Sequence, residues 1–355
     1  VTLSVLVGFA VMALYYLLRE PLLALFGATE ANLPYARKYF MWIAAGIPIY
    51  VFGQAMNPII RADGSPKFAM ACMLAGAVTN VIGDPIAIFV FRGGVAGAAI
   101  ATVLGQLVTA GMSVWYLCRT KLLKLRRADF RMSGRILGAF LPLGLCSFLA
   151  QISLVIAMAA TNSMLVEYGA QSKFGADIPL TVLGIVMKVF QIIISITIGM
   201  SAGCIPIVGY NFGAKRMDRC RGVLWRLMAA EFVLGAVSLV VTQCFPVQLI
   251  SLFGAEDALY NEFAVLAFRV YLCMLPLATV NKAAFIFMQA MGRPVESAGL
   301  SFFREVLLAV PLVMLLPRAF GIMGVLYSMP AADVVTFFAS LFILLRTDRQ
   351  LKAMG

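Results

Sequence analysis

Long apolar runs alternate with short polar ones along the whole chain. Stretches long enough to span a bilayer recur ten times, at 1–26, 34–60, 66–90, 95–118, 136–166, 179–206, 222–250, 264–290, 295–316 and 321–345. Each meets the length of about 20 residues that a hydrocarbon core needs. Helices satisfy their own backbone inside lipid, whereas the strands of a membrane barrel would read as short segments of period two. The pattern therefore predicts an all-α polytopic membrane protein.

Composition agrees. The chain has 355 residues, is 62% hydrophobic and 12% charged, and has a mean hydropathy of +0.96; soluble domains are about half apolar and about a quarter charged. There is no histidine, which removes the commonest general base, proton shuttle and metal ligand. The seven cysteines form no C-x-x-C pair, so neither a zinc cage nor a thioredoxin-like site is expected. No phosphate-binding loop is present, so no ATP is expected to drive the protein. Most of the parts of an enzyme are missing, and no cofactor is expected.

The net charge of +12 is distributed by loop. One set of connections, with the C-terminal segment, holds eighteen Lys and Arg: Arg61 and Lys67, seven between Arg119 and Arg135, five between Lys215 and Arg226, Arg293, and Arg346, Arg349 and Lys352. The opposite set holds six. The bias predicts that both ends lie in the cytoplasm, on a plasma (inner) membrane. Charge that alternates by loop, without one basic stripe, argues against a nucleic-acid partner.

The chain also matches itself. Leu25–Ala28 recurs as Leu252–Ala255, shifted by 227; Pro48 recurs as Pro276 and Ala62–Pro66 as Ala290–Pro294, shifted by 228; Gly94 and Gly97 recur as Gly321 and Gly324. Several ordered matches at one offset indicate duplicated halves of like orientation, a parallel repeat. The second half begins near Arg135, so the same offset starts the first at 135 − 227 = −92. This predicts about 90 residues, two further spans, before Val1. The expected architecture is two pseudo-symmetric helical lobes flanking a cleft, with ten of twelve transmembrane helices present. It assigns 1–118 to the last four helices of an N-terminal lobe and 119–135 to a cytoplasmic basic linker. A six-helix C-terminal lobe occupies 136–345, and a cytoplasmic tail 346–355.

An ionisable side chain at membrane depth costs about 3 kcal/mol, so each needs a reason. Asp84 lies four residues after Asn80, on one helical face. Pro85 lacks an N–H and leaves the carbonyl of Val81 without its usual partner. A carboxylate, an amide oxygen and a freed carbonyl are hard ligands for a small cation. Asp84 and Thr102 stand six and seven residues from the same ends of neighbouring stretches, about 10 Å deep. The plainer alternative is that Asp84 caps a kinked helix and faces outer water. In the second half Glu305 and Asp333 approach the midplane, Lys188 reaches a similar depth, and Gln106 is the repeat counterpart of Asp333. Either Arg304 pairs with Asp333 or Glu305 as internal glue, or one carboxylate faces a cavity and attracts cationic substrate. Glu231 and Lys282 are expected nearer the inner face, reaching cavity water. Twenty methionines and twenty-six phenylalanines suit a cavity of adaptable shape, although any given one more often faces lipid.

Four segments carry a family resemblance: Arg61–Lys67 (RADGSPK), Gly76–Pro85 (GAVTNVIGDP), Gly94–Gln106 (GVAGAAIATVLGQ) and Gly203–Arg216 (GCIPIVGYNFGAKR). They resemble the multidrug and toxic compound extrusion family. The resemblance implies two six-helix lobes, alternating access, and export of organic cations and other amphipathic compounds driven by Na⁺ or H⁺. In sodium-coupled relatives an Asn, an Asp four residues on and a Thr eighteen further on contribute to the cation site; Asn80, Asp84 and Thr102 match that spacing. The chain departs from the family pattern at its start, where the first two helices, one with an acidic coupling residue in many members, have no counterpart. The expected function is thus a secondary active antiporter for small amphipathic substrates in a lipid bilayer. Its rivals are a lipid-linked precursor flippase, which would want more buried cations, and a membrane-embedded enzyme relying on carboxylates alone. The buried charges, Asp84, Glu231, Glu305 and Asp333 against Lys188, Lys282 and Arg304, favour cationic cargo. No oligomeric state is assigned.

Overall fold

A computed structural model describes residues 1–25, 33–119, 134–175, 177–254 and 258–354. Among these the regular structure is helical: α1 Thr2–Leu17, α2 Arg19–Leu25, α3 Leu33–Ala62, α4 Pro66–Pro85 with a π-type turn at Ile86–Val90, and α5 Gly94–Arg119. There follow α6 Gly134–Ala170, α7 Asp177–Gly213, α8 Met217–Cys244, α9 Pro246–Ser251, α10 Ala258–Tyr271 and α11 Leu275–Ala290. Last come α12 Pro294–Phe302 with a π-type turn at Phe303–Ala309, α13 Val310–Phe320 and α14 Ile322–Met354. Eight helices are long and apolar enough to cross a membrane, nine if the α10–α11 pair is one span.

Two of the ten expected spans differ from a single straight helix. The stretch 1–26 breaks at Leu18, so α1 is only 16 residues long. The polar pair Arg19–Glu20 and then Pro21 start α2, where a proline in the first turn costs no hydrogen bond. Arg19 and Arg37 both pair with Glu20 there, at 2.9 and 2.8 Å. The stretch 264–290 bends by 51° between α10 and α11, because Pro276 lacks the N–H that would carry the ladder across Leu272.

The chain divides into two compact units, Val1–Leu137 and Gly138–Gly355. In the first, α3 packs against α1, α4 and α5, and α4 against α5. In the second, α11 packs against α7, α8, α12 and α14, and α13 against α14. The element order α1–α5 therefore recurs as α8–α14, with α9 in the place of α2 and a π-type turn in both α4 and α12. The linker expected at 119–135 falls, apart from its ends, outside the described residues, as do Phe26–Ala28 and Ala255 of one repeat match. α14 runs helical through the expected tail to Met354.

Glycines show how deep the repeat goes. A Cβ on Gly8 would lie 2.7 Å from Pro48 Cα, and one on Gly235 would lie 2.5 Å from Pro276 Cα. The same helix crossing, 227–228 residues apart, is thus made by the same Gly–Pro contact. Gly94 and Gly321 both take positive φ, 53° and 58°, before the helix that closes each repeat. Gly97 and Gly324 then bring that helix against the preceding one, with Cβ positions 2.7 and 2.4 Å from the backbones of Ala87 and Leu316. Large apolar side chains such as Phe89 and Phe342 stand exposed on helix faces. Together with the apolar helices they make this a multi-pass membrane protein.

Candidate functional site

In the first unit small residues let α4 and α5 approach closely. A Cβ on Gly76 would overlap Thr109 Oγ1, and one on Gly105 would lie 2.6 Å from Gly76 O. This close crossing brings Thr102 to the face of α4 that carries Asn80 and Asp84. Asn80 Nδ2 donates to Asp84 Oδ1 at 3.2 Å and to Thr102 Oγ1 at 3.3 Å, while the Thr102 hydroxyl donates to Ala98 O. All three side chains are half-buried. Immediately after Pro85 the backbone widens to its π-type turn, as expected where one N–H is missing from the ladder. Gln106, one turn further along α5, keeps its Oε1 buried without a hydrogen-bond partner.

The second unit holds a cavity of about 300 Å³ lined by α6, α7, α10, α11, the α12 turn and α14. Met158, Met187, Phe190, Phe285 and Met329 supply much of its wall. Gln151, Asn162, Gln191, Asn281 and Tyr271 add polar edges, and its charged lining is Lys282, Arg304 and Glu305. Arg304 is the structural centre. Its Nε donates to Asp333 Oδ1 at 2.7 Å, its Nη1 to Glu305, and its Nη2 faces Met329 Sδ. Adjacent residues on an α-helix do not normally face each other; Arg304 and Glu305 meet within the π-type turn Phe303–Ala309. Asp333 is 3% exposed and lies behind Arg304, its backbone carbonyl accepting from Asn281 Nδ2. Lys282 has no ion-pair partner among the described residues.

Arg304 thus pairs with both Asp333 and Glu305, and Glu305 also lines the cavity. Lys188, expected as a cavity residue, does not line this one. Its neighbour Met187 does, and one residue on a helix is about 100° of rotation, so Lys188 turns outward and sets its ammonium 5.8 Å from the Phe253 ring centre. Glu231, expected to reach water, is 0% exposed. It sits midway along α8 where α7 and α11 close over it. The polar edge from Gln151, Asn162 and Asn281 went unread, because single amides in apolar helices look alike until neighbours surround them.

The first unit thus holds an oxygen cluster between two helices, and the second a mixed apolar and charged cavity. The MatE family model matches residues 1–86 and 146–315, and the chain belongs to the multidrug and toxic compound extrusion family. It is 24% identical over 344 residues to the multidrug export protein MepA of Staphylococcus saprophyticus, covering 96% of this chain and 73% of that one. It is 26% identical over 350 residues to the FAD transporter of Shewanella oneidensis, covering 94% and 73%. A solved outward-facing multidrug resistance transporter of the family superposes with a TM-score of 0.90 at 23% identity, over 99% of this chain and 77% of that one, which speaks for the fold.

Proposed function

We propose that the protein is a secondary active antiporter that exports amphipathic organic compounds across the plasma membrane in exchange for Na⁺ or H⁺. The observation that carries the reading is the second unit's cavity, whose methionines and aromatics repack around cargo of varied shape. The multidrug export relatives agree with it. The basic loops favour a topology with both ends cytoplasmic, 119–135 serving as a cytoplasmic linker.

Asn80, Asp84 and Thr102 form the coupling site in this reading. With its amide turned over, Asn80 presents an oxygen to a cation beside the Asp84 carboxylate and the Thr102 hydroxyl. With a proton instead, Asp84 becomes a donor within the same cluster. Either change of charge acts beside Pro85, where one helical hydrogen bond is missing.

Cationic cargo is held in this reading by Glu305, at the cavity wall. A second reading, an amphipathic anion, is favoured by Lys282 and by the engagement of Asp333 with Arg304, which takes one carboxylate out of the cavity's balance. Liposomes containing the chain, loaded with ethidium or with a carboxylate dye, separate the two. Efflux of ethidium under a Na⁺ or proton gradient, lost in Asp84→Asn with ethidium binding kept, is the expected result. Wild-type efflux in Asp84→Asn would return that residue to a helix cap, and efflux of the anionic dye alone would favour the second reading.

A further inference from the structure

Glu231 lies outside the cavity and outside the coupling cluster, and its surroundings are unusual for a carboxyl group. It is 0% exposed at the middle of α8. Ser201 Oγ of α7 donates to its Oε1 at 3.1 Å, and the Thr197 hydroxyl, one turn earlier on the same face of α7, also faces it. No cation lies within ion-pairing distance among the described residues. Two buried oxygens there, Glu231 Oε2 and Thr197 Oγ1, have no hydrogen-bond partner.

Buried polar groups are nearly always paired, and a lone buried carboxylate is the costliest exception. The Thr197 hydroxyl can donate to an ionised Oε2 or accept from a protonated one, while Oε1 keeps its bond from Ser201; with no cation beside the carboxyl, the neutral acid is the form that costs less to bury. A metal cation fits less well, since hard cations take about six oxygens and the three side chains hold four.

The helices around the group suggest where it opens. α8 is locked to α11, because a Cβ on Gly235 would lie 2.5 Å from Pro276 Cα and 2.6 Å from Thr279 Oγ1, and Thr279 donates to the Glu231 carbonyl at 2.8 Å. α7 is different. Pro206 removes the helical donor for the carbonyl of Ala202, next to Ser201, which leaves that helix easier to bend. The titratable group facing Glu231 from α7 is the Cys204 thiol. Lys282 on α11, Tyr271 on α10 and Asp333 on α14 belong to the Arg304 cluster, and α9 carries no ionisable side chain.

We infer that Glu231, seated against Thr197 and Ser201, is a second proton-loading site, held in the second unit and separate from Asn80, Asp84 and Thr102. The step is the making or breaking of one O–H bond: water in the opened site takes the proton from the carboxylic acid, leaving a carboxylate, and returns it on reclosure. The inference rests on the proton-driven form of the export reading.

Infrared spectroscopy of the chain in lipid nanodiscs tests it. A protonated carboxylic C=O band at neutral pH, lost in Glu231→Gln, is expected, and its discharge on raising the pH should become easier when ethidium is added. In liposomes Glu231→Gln should lose proton-driven ethidium efflux but keep ethidium binding and thermal stability, because the amide retains a donor and an acceptor. Absence of a Glu231-dependent acid band overturns the site. A band with unchanged proton-driven efflux in Glu231→Gln overturns loading and leaves a structural acid. If the wild type moves no ethidium at all, the export reading fails, while a band whose loss follows pH still reports the proton at Glu231.

Discussion

The two units repeat one backbone and fill it with different chemistry. Gly8 on Pro48 and Gly235 on Pro276 make the same crossing, and Gly94 and Gly321 turn the chain in the same way. Yet the first unit sets neutral oxygens around one carboxylate, Asp84, with no basic partner in its hydrogen-bonded cluster. The second ties the buried acid Asp333 to Arg304, while the repeat counterpart Gln106 keeps an unpartnered oxygen. Backbone contacts answer to packing, which both units need alike, whereas the polar groups inside the frame are free to diverge. Asp84 thus has amide and hydroxyl neighbours, whereas Asp333 is held in an ion pair.

The largest expected effect exploits that difference. Asp333→Asn strands the Arg304 guanidinium beside Glu305 alone and should cost about 3–5 kcal/mol of stability, as breaking buried pairs does. Gln106→Ala, at the matching position of the first unit, should stay near 1 kcal/mol. Thermal unfolding in detergent would compare them, and equal losses would break the contrast. Next, Gly235→Ala and Gly8→Ala both drive a methyl into a proline and should each destabilise by about 1–3 kcal/mol. Gly235 should be the worse, because Thr279 Oγ1 and Leu275 O also stand within 3 Å of the added carbon. Asp84→Asn, the same change of charge as Asp333→Asn, should shift unfolding by less than about 1 kcal/mol while removing gradient-driven efflux. The smallest effect is electrostatic and lies at α2, after the break at Leu18. The hydrogen bond from Arg37, then its charge and that of Arg19, holds the exposed Glu20 carboxyl below the usual carboxylate range. The contribution of this pair is therefore complete above that range and is lost as pH falls through the depressed value. Carbon-detected NMR titration of Glu20, with Arg37→Gln as the control that restores an ordinary value, would measure it.

Much was legible in the sequence. Ten apolar stretches, the offset of 227–228 and the i, i+4 placement of Asn80 and Asp84 follow from chain-local rules, since span length and helical phase depend on neighbours in sequence. The glycine matches were informative for the same reason: a positive φ or a backbone contact tolerates few residues, so the requirement stays visible. Side chains at membrane depth were harder. Glu231 and Lys188 both read as isolated charges in apolar helices, and nothing along the chain says that one is sealed by Thr197, Ser201 and Thr279 while the other turns out over Phe253.

A helical membrane protein built from a repeat can be read from hydropathy, charge bias and glycine spacing, because these are written one residue after another. The bend between α10 and α11, the pairing of Arg304 with two carboxylates, and the meeting of six helical segments at one cavity depend on contacts between residues far apart in the chain. In a bilayer nearly every face of a helix is apolar, so hydrophobic periodicity carries little information about which face meets which neighbour. That choice is made by close packing between helices far apart in sequence, and it becomes visible only once they are in contact.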